Sequence, residues 1–128
     1  MKFMKRKTLY RYQSNNKIPY LVRWTLFQCK WFSIKVHKVL ISDTGPLHTH
    51  PWNYISFILW GGYFEHTEKG CKWYTPGSVL VRNASVPHKL EIPKGMSAIS
   101  LILTSPKAKD WGFKTNEGYK SHKEVNLY

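Results

Sequence analysis

Apolar and polar residues alternate with a period of two over much of the chain. Residues 31–41, WFSIKVHKVLI, set Phe32, Ile34 and Val36 against Ser33, Lys35 and His37. This is the pattern of a strand whose successive side chains point to opposite faces. Residues 20–27, YLVRWTLF, are dense in β-branched and aromatic side chains, and 54–60, YISFILW, is a short continuous apolar run. Further β-type runs are expected at 47–50, 63–68, 71–74, 78–82, 88–92 and 96–104. SDTGP at 42–46, Gly61-Gly62, EKG, TPG and PKG supply turn chemistry between them. No stretch shows helical periodicity. Eight or nine short, closely spaced strands predict an all-β domain, a sandwich or a barrel.

The pattern fades at both ends. SPKAKDWGFKTNEGYKSHKEVNLY, from Ser105 onward, is polar with spaced aromatics. It is expected to wrap the outside or to be partly disordered, with Trp111 and Phe113 as anchors. The first fifteen residues read the same way. At 128 residues the chain is expected to be one domain, its core spanning about 18–105, with a basic N-terminal arm and a polar C-terminal tail at the periphery.

Composition sharpens this picture. The hydrophobic fraction of 42% and aromatic fraction of 16% are those of a folded chain. The formal charge is +13, an excess that favours polyanions or anionic ligands. Yet the charge is mostly lysine spread along the chain, and only MKFMKRK is a compact basic cluster. Nucleic acid is therefore weakly supported as a partner, against lysine that merely solubilises an aromatic-rich domain. Cys29 and Cys71 form neither a disulfide framework nor a zinc spacing. They read as reduced thiols of a cytoplasmic protein. No apolar h-region follows the N-terminal charge and no run approaches a membrane span, so no membrane association is expected.

The candidate chemistry lies in the histidines. His48 and His50 are two apart, so on a strand they project side by side. A His-x-His pair is as readily exposed or hydrogen-bonded as metal-bound. His88 shares parity with Leu90 and Ile92, which turns it to the apolar face, where an imidazole needs a partner. A metal or a core hydrogen bond would each serve. Tyr54 has the parity of His48 and His50, which would direct its phenol into the pocket behind the ligands or leave it a buried aromatic hydrogen-bonded at its OH. Of Glu65 and His66 only one should face inward, and Glu65 in that position would be a possible fourth ligand. Arg82 and Arg23 are candidates for gripping a substrate carboxylate, against plain surface arginines. Trp52 and Trp60 would wall a pocket or pack the core. His37 and His122 read as exposed.

Gly45-x2-His48-x-His50-x3-Tyr54-x6-Gly61 resembles the first motif of the cupins, G-x5-H-x-H-x3-E-x6-G, and Gly77-x10-His88 matches the spacing of their second, G-x5-P-x-G-x2-H-x3-N. The resemblance covers residues 43–92 and implies a cupin double-stranded β-helix, a jelly-roll barrel. More narrowly, HTHPWNYISFILWGGYFEHT and SPKAKDWGF resemble small cupin-like proteins of phage and prophage genomes. The departures are specific. Tyr54 stands where cupins carry the glutamate ligand, and Gly45 lies three residues before His48 rather than six. Asn83, Ser85 and Ile92 replace the Pro, Gly and Asn of the second motif.

His48, His50 and His88 remain as metal ligands without the carboxylate. Three imidazoles leave about three coordination positions open, a catalytic arrangement rather than a structural one. Among cupins this set resembles the thiol dioxygenases, which implies Fe(II), with Ni, Zn or Mn as alternatives. It also implies a small anionic substrate, thiol or amino-acid-like. The competing expectation is a non-catalytic binding module for a small anionic ligand or nucleic acid. Sugar isomerisation ranks last, because it needs a base, often a His–Asp pair, and Asp43 and Asp110 are both read as outside barrel strands. Cupins are often dimers, and the run 54–60 suits either a buried strand or a homodimer contact.

Overall fold

The computed structural model describes residues 2–13, 16–43, 46–106, 112–115 and 118–121, and the side chains of 5–10, 16–43 and 46–106. Twelve strands occur among them and no helix: β1 (Lys2–Gln13), β2 (Asn16–Gln28), β3 (Ser33–Val39), β4 (Leu47–His48), β5 (Tyr54–Trp60), β6 (Tyr63–Thr67), β7 (Gly70–Tyr74), β8 (Val79–Arg82), β9 (His88–Glu91), β10 (Ala98–Thr104), β11 (Gly112–Thr115) and β12 (Gly118–Ser121). They form two antiparallel six-stranded sheets, ordered β1-β2-β3-β10-β5-β8 and β12-β11-β4-β9-β6-β7. The order jumps between distant strands, as a jelly roll requires.

The period of two expected for β3 is present, and so is its partner. Ser33, Lys35, His37 and Val39 are buried, while Ile34, Val36 and Lys38 are half-covered; β10 repeats the pattern with Ala98, Ser100, Ile102 and Thr104 buried. The two strands pair over their full length, from Ala98 with Val39 to Thr104 with Ser33. The inward face of β3 is thus the polar one. His37, expected to be exposed, is only 9% exposed. The alternation identifies a strand without revealing which set faces in, and on this inner face His37 lines a cavity rather than a dry core.

The dry part of the interior is a cluster of Leu21, Val39, Ile58, Tyr63, Leu80, Ile92 and Ala98, drawn from both sheets. Ile58 and Leu80 are each 2% exposed; full burial of such a side chain stabilises the fold by roughly 1.5–3 kcal/mol. The chain turns tightly after β5, where Gly61 takes a φ of +75°. A Cβ there would collide with the Ser97 carbonyl oxygen, so both conformation and space require glycine.

The ends differ from expectation. The basic N-terminal segment is β1, paired with β2 from Lys2 opposite Gln28 to Gln13 opposite Asn16. In the C-terminal segment, β11 pairs with β12 and with β4, setting Phe113 opposite His48. Trp111, His122 and the side chain of Phe113 lie outside the described residues.

Candidate metal centre

The short strand β4 is what assembles the histidines. It lies beside β9 with His48 directly opposite His88, so two residues forty positions apart become cross-strand neighbours. His50, just past β4, turns towards the same point. The three ring centroids are 5.0–5.1 Å apart, and one ligand nitrogen from each lies within 4.8 Å of the others. The Nε2 atoms of His50 and His88 are 2.8 Å apart.

The donors are in the form a metal needs. Burial holds His50 well below the ordinary imidazole value, helped by the neighbouring His88. Burial likewise lowers His48 to about 4, against an opposing pull from Asp43. Neutral imidazoles carry a free lone pair. His88 is oriented from behind: its Nδ1 lies 2.8 Å from Oε2 of Glu65. With Nδ1–H donating to that carboxylate, Nε2 is left for coordination, the carboxylate–histidine arrangement common behind metal ligands. Nitrogens sharing one ion at about 2.1 Å lie no more than about 4.2 Å apart, so the three close on an ion after side-chain shifts of under about an ångström. The residues fit a divalent cation.

Glu65 faces inward and is 3% exposed, whereas His66 turns to the surface and meets Glu91 at 2.9 Å. Glu65 is not a member of the three-nitrogen cluster. Its second anchor is Arg82, whose Nη2 donates to Oε1 at 2.6 Å and whose Nε reaches both oxygens at 3.2 Å. Burial alone would raise the Glu65 carboxyl, but hydrogen bonds from His88 and Arg82 and their charge prevail and hold it at about 2. Arg82 also donates to the Tyr74 hydroxyl at 3.1 Å. The guanidinium is thereby committed to Glu65, and Arg82 does not line the cavity in front of the histidines. Tyr54 does line it, with its hydroxyl 3.4 and 3.5 Å from the two ring nitrogens of His88. Burial first, then the Glu65 charge, pushes this phenol well above its ordinary value. It is a neutral O–H donor.

The cavity has a volume of about 330 Å³. Arg23, His37 and Trp52 line one side of it, with Lys35 against the Trp52 ring, a grouping the sequence did not reveal as a unit. Arg23 Nε donates to His37 Nε2 at 2.9 Å, and Lys35 Nζ sits 3.6 Å from the centre of the Trp52 ring. Trp52 lies nearly parallel to the His50 ring, 24° away at 6.3 Å. Burial lowers Arg23 and His37 and brings Lys35 to about 8. Among the described residues no carboxylate is ion-paired with Arg23 or Lys35. Asp43 lies outside the strands, as expected, yet from that loop it also lines the cavity. Its Oδ2 accepts from the Leu90 N–H at 2.8 Å and lies 3.9 Å from His48 Nε2. Sequence reading missed it because SDTGP is turn-like in composition, and nothing in that composition says which way the turn leans. Trp60 is 65% exposed and remote from this cavity.

No protein-family model and no curated protein matches the chain. Solved structures do. A cupin-2 domain from Rhodospirillum rubrum superposes with a TM-score of 0.71 at 12% identity, covering 90% of this chain and 78% of that one. The polyketide cyclase RemF from Streptomyces resistomycificus gives 0.59 at 18% identity, over 66% of this chain and 64% of that one. The Fe(II) form of HppE gives 0.59 at 21% identity, over 78% of this chain and 56% of that one. The chain therefore spans less than two thirds of the length of these last two proteins. With two antiparallel sheets, no helix among the described residues and these neighbours, the chain has the cupin fold.

Proposed function

We propose that this chain is a metal-binding cupin in which His48, His50 and His88 hold one divalent ion, Fe(II) ahead of Ni, Zn or Mn, to oxidise a small anionic substrate with dioxygen. The observation that carries this reading is the convergence of three neutral imidazoles, one of them braced by Glu65. Bound Fe(II) would supply Lewis-acid and redox chemistry, with coordination positions open for substrate and dioxygen. The structural likeness to an Fe(II) protein is in keeping with iron.

The chain's own residues do the rest. Arg23 brings positive charge to one side of the cavity, with Lys35 against Trp52 and neither ion-paired with a carboxylate among the described residues, which suits a carboxylate or thiolate held beside the metal. Trp52 supplies a flat wall between that charge and His50. Tyr54 keeps its proton and offers it to an oxygen that develops charge near His88. Glu65, fixed by Arg82, holds the His88 ring in place. A cavity of about 330 Å³ is at the small end for ligand pockets, which limits the substrate to a small thiol or amino-acid-like molecule.

A second reading, a non-catalytic module that binds a small anion or nucleic acid, draws on the same Arg23 side of the cavity and on the net charge of +13. Oxygen-uptake assays on the iron-loaded chain, with a panel of small anionic thiols, separate the two. The enzyme reading predicts uptake, with Arg23→Met raising KM at least tenfold. Ligand-induced stabilisation without any uptake would reject it in favour of the binding module.

A further inference from the structure

The cavity in front of the histidines changes character along its length. Tyr54, 3.4 Å from His88, stands opposite Thr104, and Thr104 stands opposite Ser33. Strand β3 therefore leads away from the histidines as it runs from Ser33 to Val39. Partway along, Arg23, His37 and Ser100 lie side by side on β2, β3 and β10. The next inward row, two residues and about 6.5 Å further on, is Leu21, Val39 and Ala98. Leu9 on β1 extends that row, directly opposite Leu21. The second sheet follows the same course. On β9, His88 belongs to the histidine cluster, and Leu90, two residues on and on the same face, lines the cavity. Leu9, Leu21, Val39 and Leu90 thus form an apolar end, and the histidines with Tyr54 form the other. Asp43, the one carboxylate in the lining among the described residues, accepts from the Leu90 N–H at 2.8 Å and lies 3.9 Å from His48.

We propose that the ligand of this cavity is an amphiphile, a small anion whose charged end lies by Arg23 and whose hydrocarbon body lies against Leu9, Leu21, Val39 and Leu90. The proposal rests on the reading of the cavity as an anion site and does not require the metal. Among small thiols and amino-acid-like molecules it selects those with a hydrocarbon body over wholly polar ones. A wholly polar anion at Arg23 would leave four aliphatic side chains facing water, whereas a hydrocarbon body removes that surface from it. The position of the charge is fixed as well. Arg23 Nε donates to His37 Nε2 at 2.9 Å, which holds the guanidinium one row away from the leucines. One end of the ligand thus meets charge while the other meets only hydrocarbon, the usual division of a small-molecule pocket. Size sets the length of that body. A volume of about 330 Å³ is the space of roughly eleven liquid waters. A carboxylate with a chain on the order of eight carbons fills it, and a long-chain lipid does not enter.

Calorimetric titration of the full chain with acetate, butanoate, hexanoate and octanoate, at constant ionic strength, tests this. Each added methylene should tighten binding roughly two- to fourfold, making octanoate at least about fifteenfold tighter than butanoate. Leu90→Thr should cut that ratio to below about fivefold. Leu9→Gln, on the edge strand β1, should do the same if Leu90→Thr folds poorly by far-UV circular dichroism. Val81→Thr, 66% exposed on the outer face of the first sheet, should leave the ratio unchanged, which separates the cavity from adsorption outside it. Arg23→Met should weaken the whole series at least about tenfold and keep the ratio. A ratio near one, or no detectable binding, in the wild type overturns the proposal. So does a ratio that survives both leucine substitutions or falls with Val81→Thr instead, and so does an Arg23→Met chain that binds as tightly as the wild type. The same series with chelator keeps the two readings apart. A chain-length dependence that persists without metal, in a chain that takes up no oxygen, supports this inference and rejects the oxidation alone. Oxygen uptake with wholly polar thiols and a flat carboxylate series does the reverse.

Discussion

Glu65 spends both carboxylate oxygens on its neighbours, Oε2 on His88 and both on the Arg82 fork. It is nearly fully buried, so removing its charge leaves a guanidinium without its counter-ion and an imidazole without its brace. Glu65→Gln should lower stability by about 3 kcal/mol in urea denaturation. It should also weaken metal binding roughly 10- to 100-fold in direct titration. If affinity is unchanged, Glu65 has no part in orienting His88. Lys35 makes a prediction in pH. Its folded value is about 8, against 10.5 for a free lysine, chiefly through burial and then through Arg23. Below pH 8 both states hold the proton and the folded state bears the full cost of burying it. Between 8 and 10.5 the unfolded chain binds a proton that the folded chain lacks, so stability rises with pH. The wild type should therefore gain on Lys35→Met across that window, by up to about 3 kcal/mol. A difference in urea midpoints that stays flat or falls would contradict the buried, uncompensated charge.

The strands show what was legible and what was not. Periodicity located β3, β5, β6, β8, β9 and β10 to within a few residues, because alternation is a local property of the chain. It could not say which face of β3 turns inward, since that depends on the cavity opposite, and so His37 was placed outside. MKFMKRK looked like a solvated arm for a physical reason. Edge strands carry lysine to discourage further pairing, and β1 is the edge of its sheet. The histidine triad was legible because His48 and His50 share a strand parity and the spacing to His88 resembles a known motif. The grouping of Arg23, His37, Lys35 and Trp52 was not, because its members come from three separated segments that only the fold brings together. One glycine tests the geometry of the β5–β6 turn. Gly61→Ala forces a side chain into a left-handed backbone against the Ser97 carbonyl. It should cost about 2–3 kcal/mol or more, read as a lowered thermal midpoint. A midpoint within a degree of the wild type would mean that this turn is not rigid.

At the scale of the molecule, the two sheets divide their work. The second brings β4 and β9 together and so places His48 opposite His88. The first supplies Arg23, Lys35 and His37 from its inner face and largely apolar strands β5 and β8 to its outer one. Positive charge is thus buried near the histidine cluster, and the proposed anionic substrate would balance it there. Everything in this account depends on the ion itself. Elemental analysis of the full chain, purified without chelator, is the most direct test. The account predicts close to one equivalent of a divalent metal, iron foremost, with His48→Ala folded but metal-free. A folded wild-type chain without bound metal, and unable to take up Fe(II) on titration, would contradict it, as would a His48→Ala chain that keeps the full equivalent.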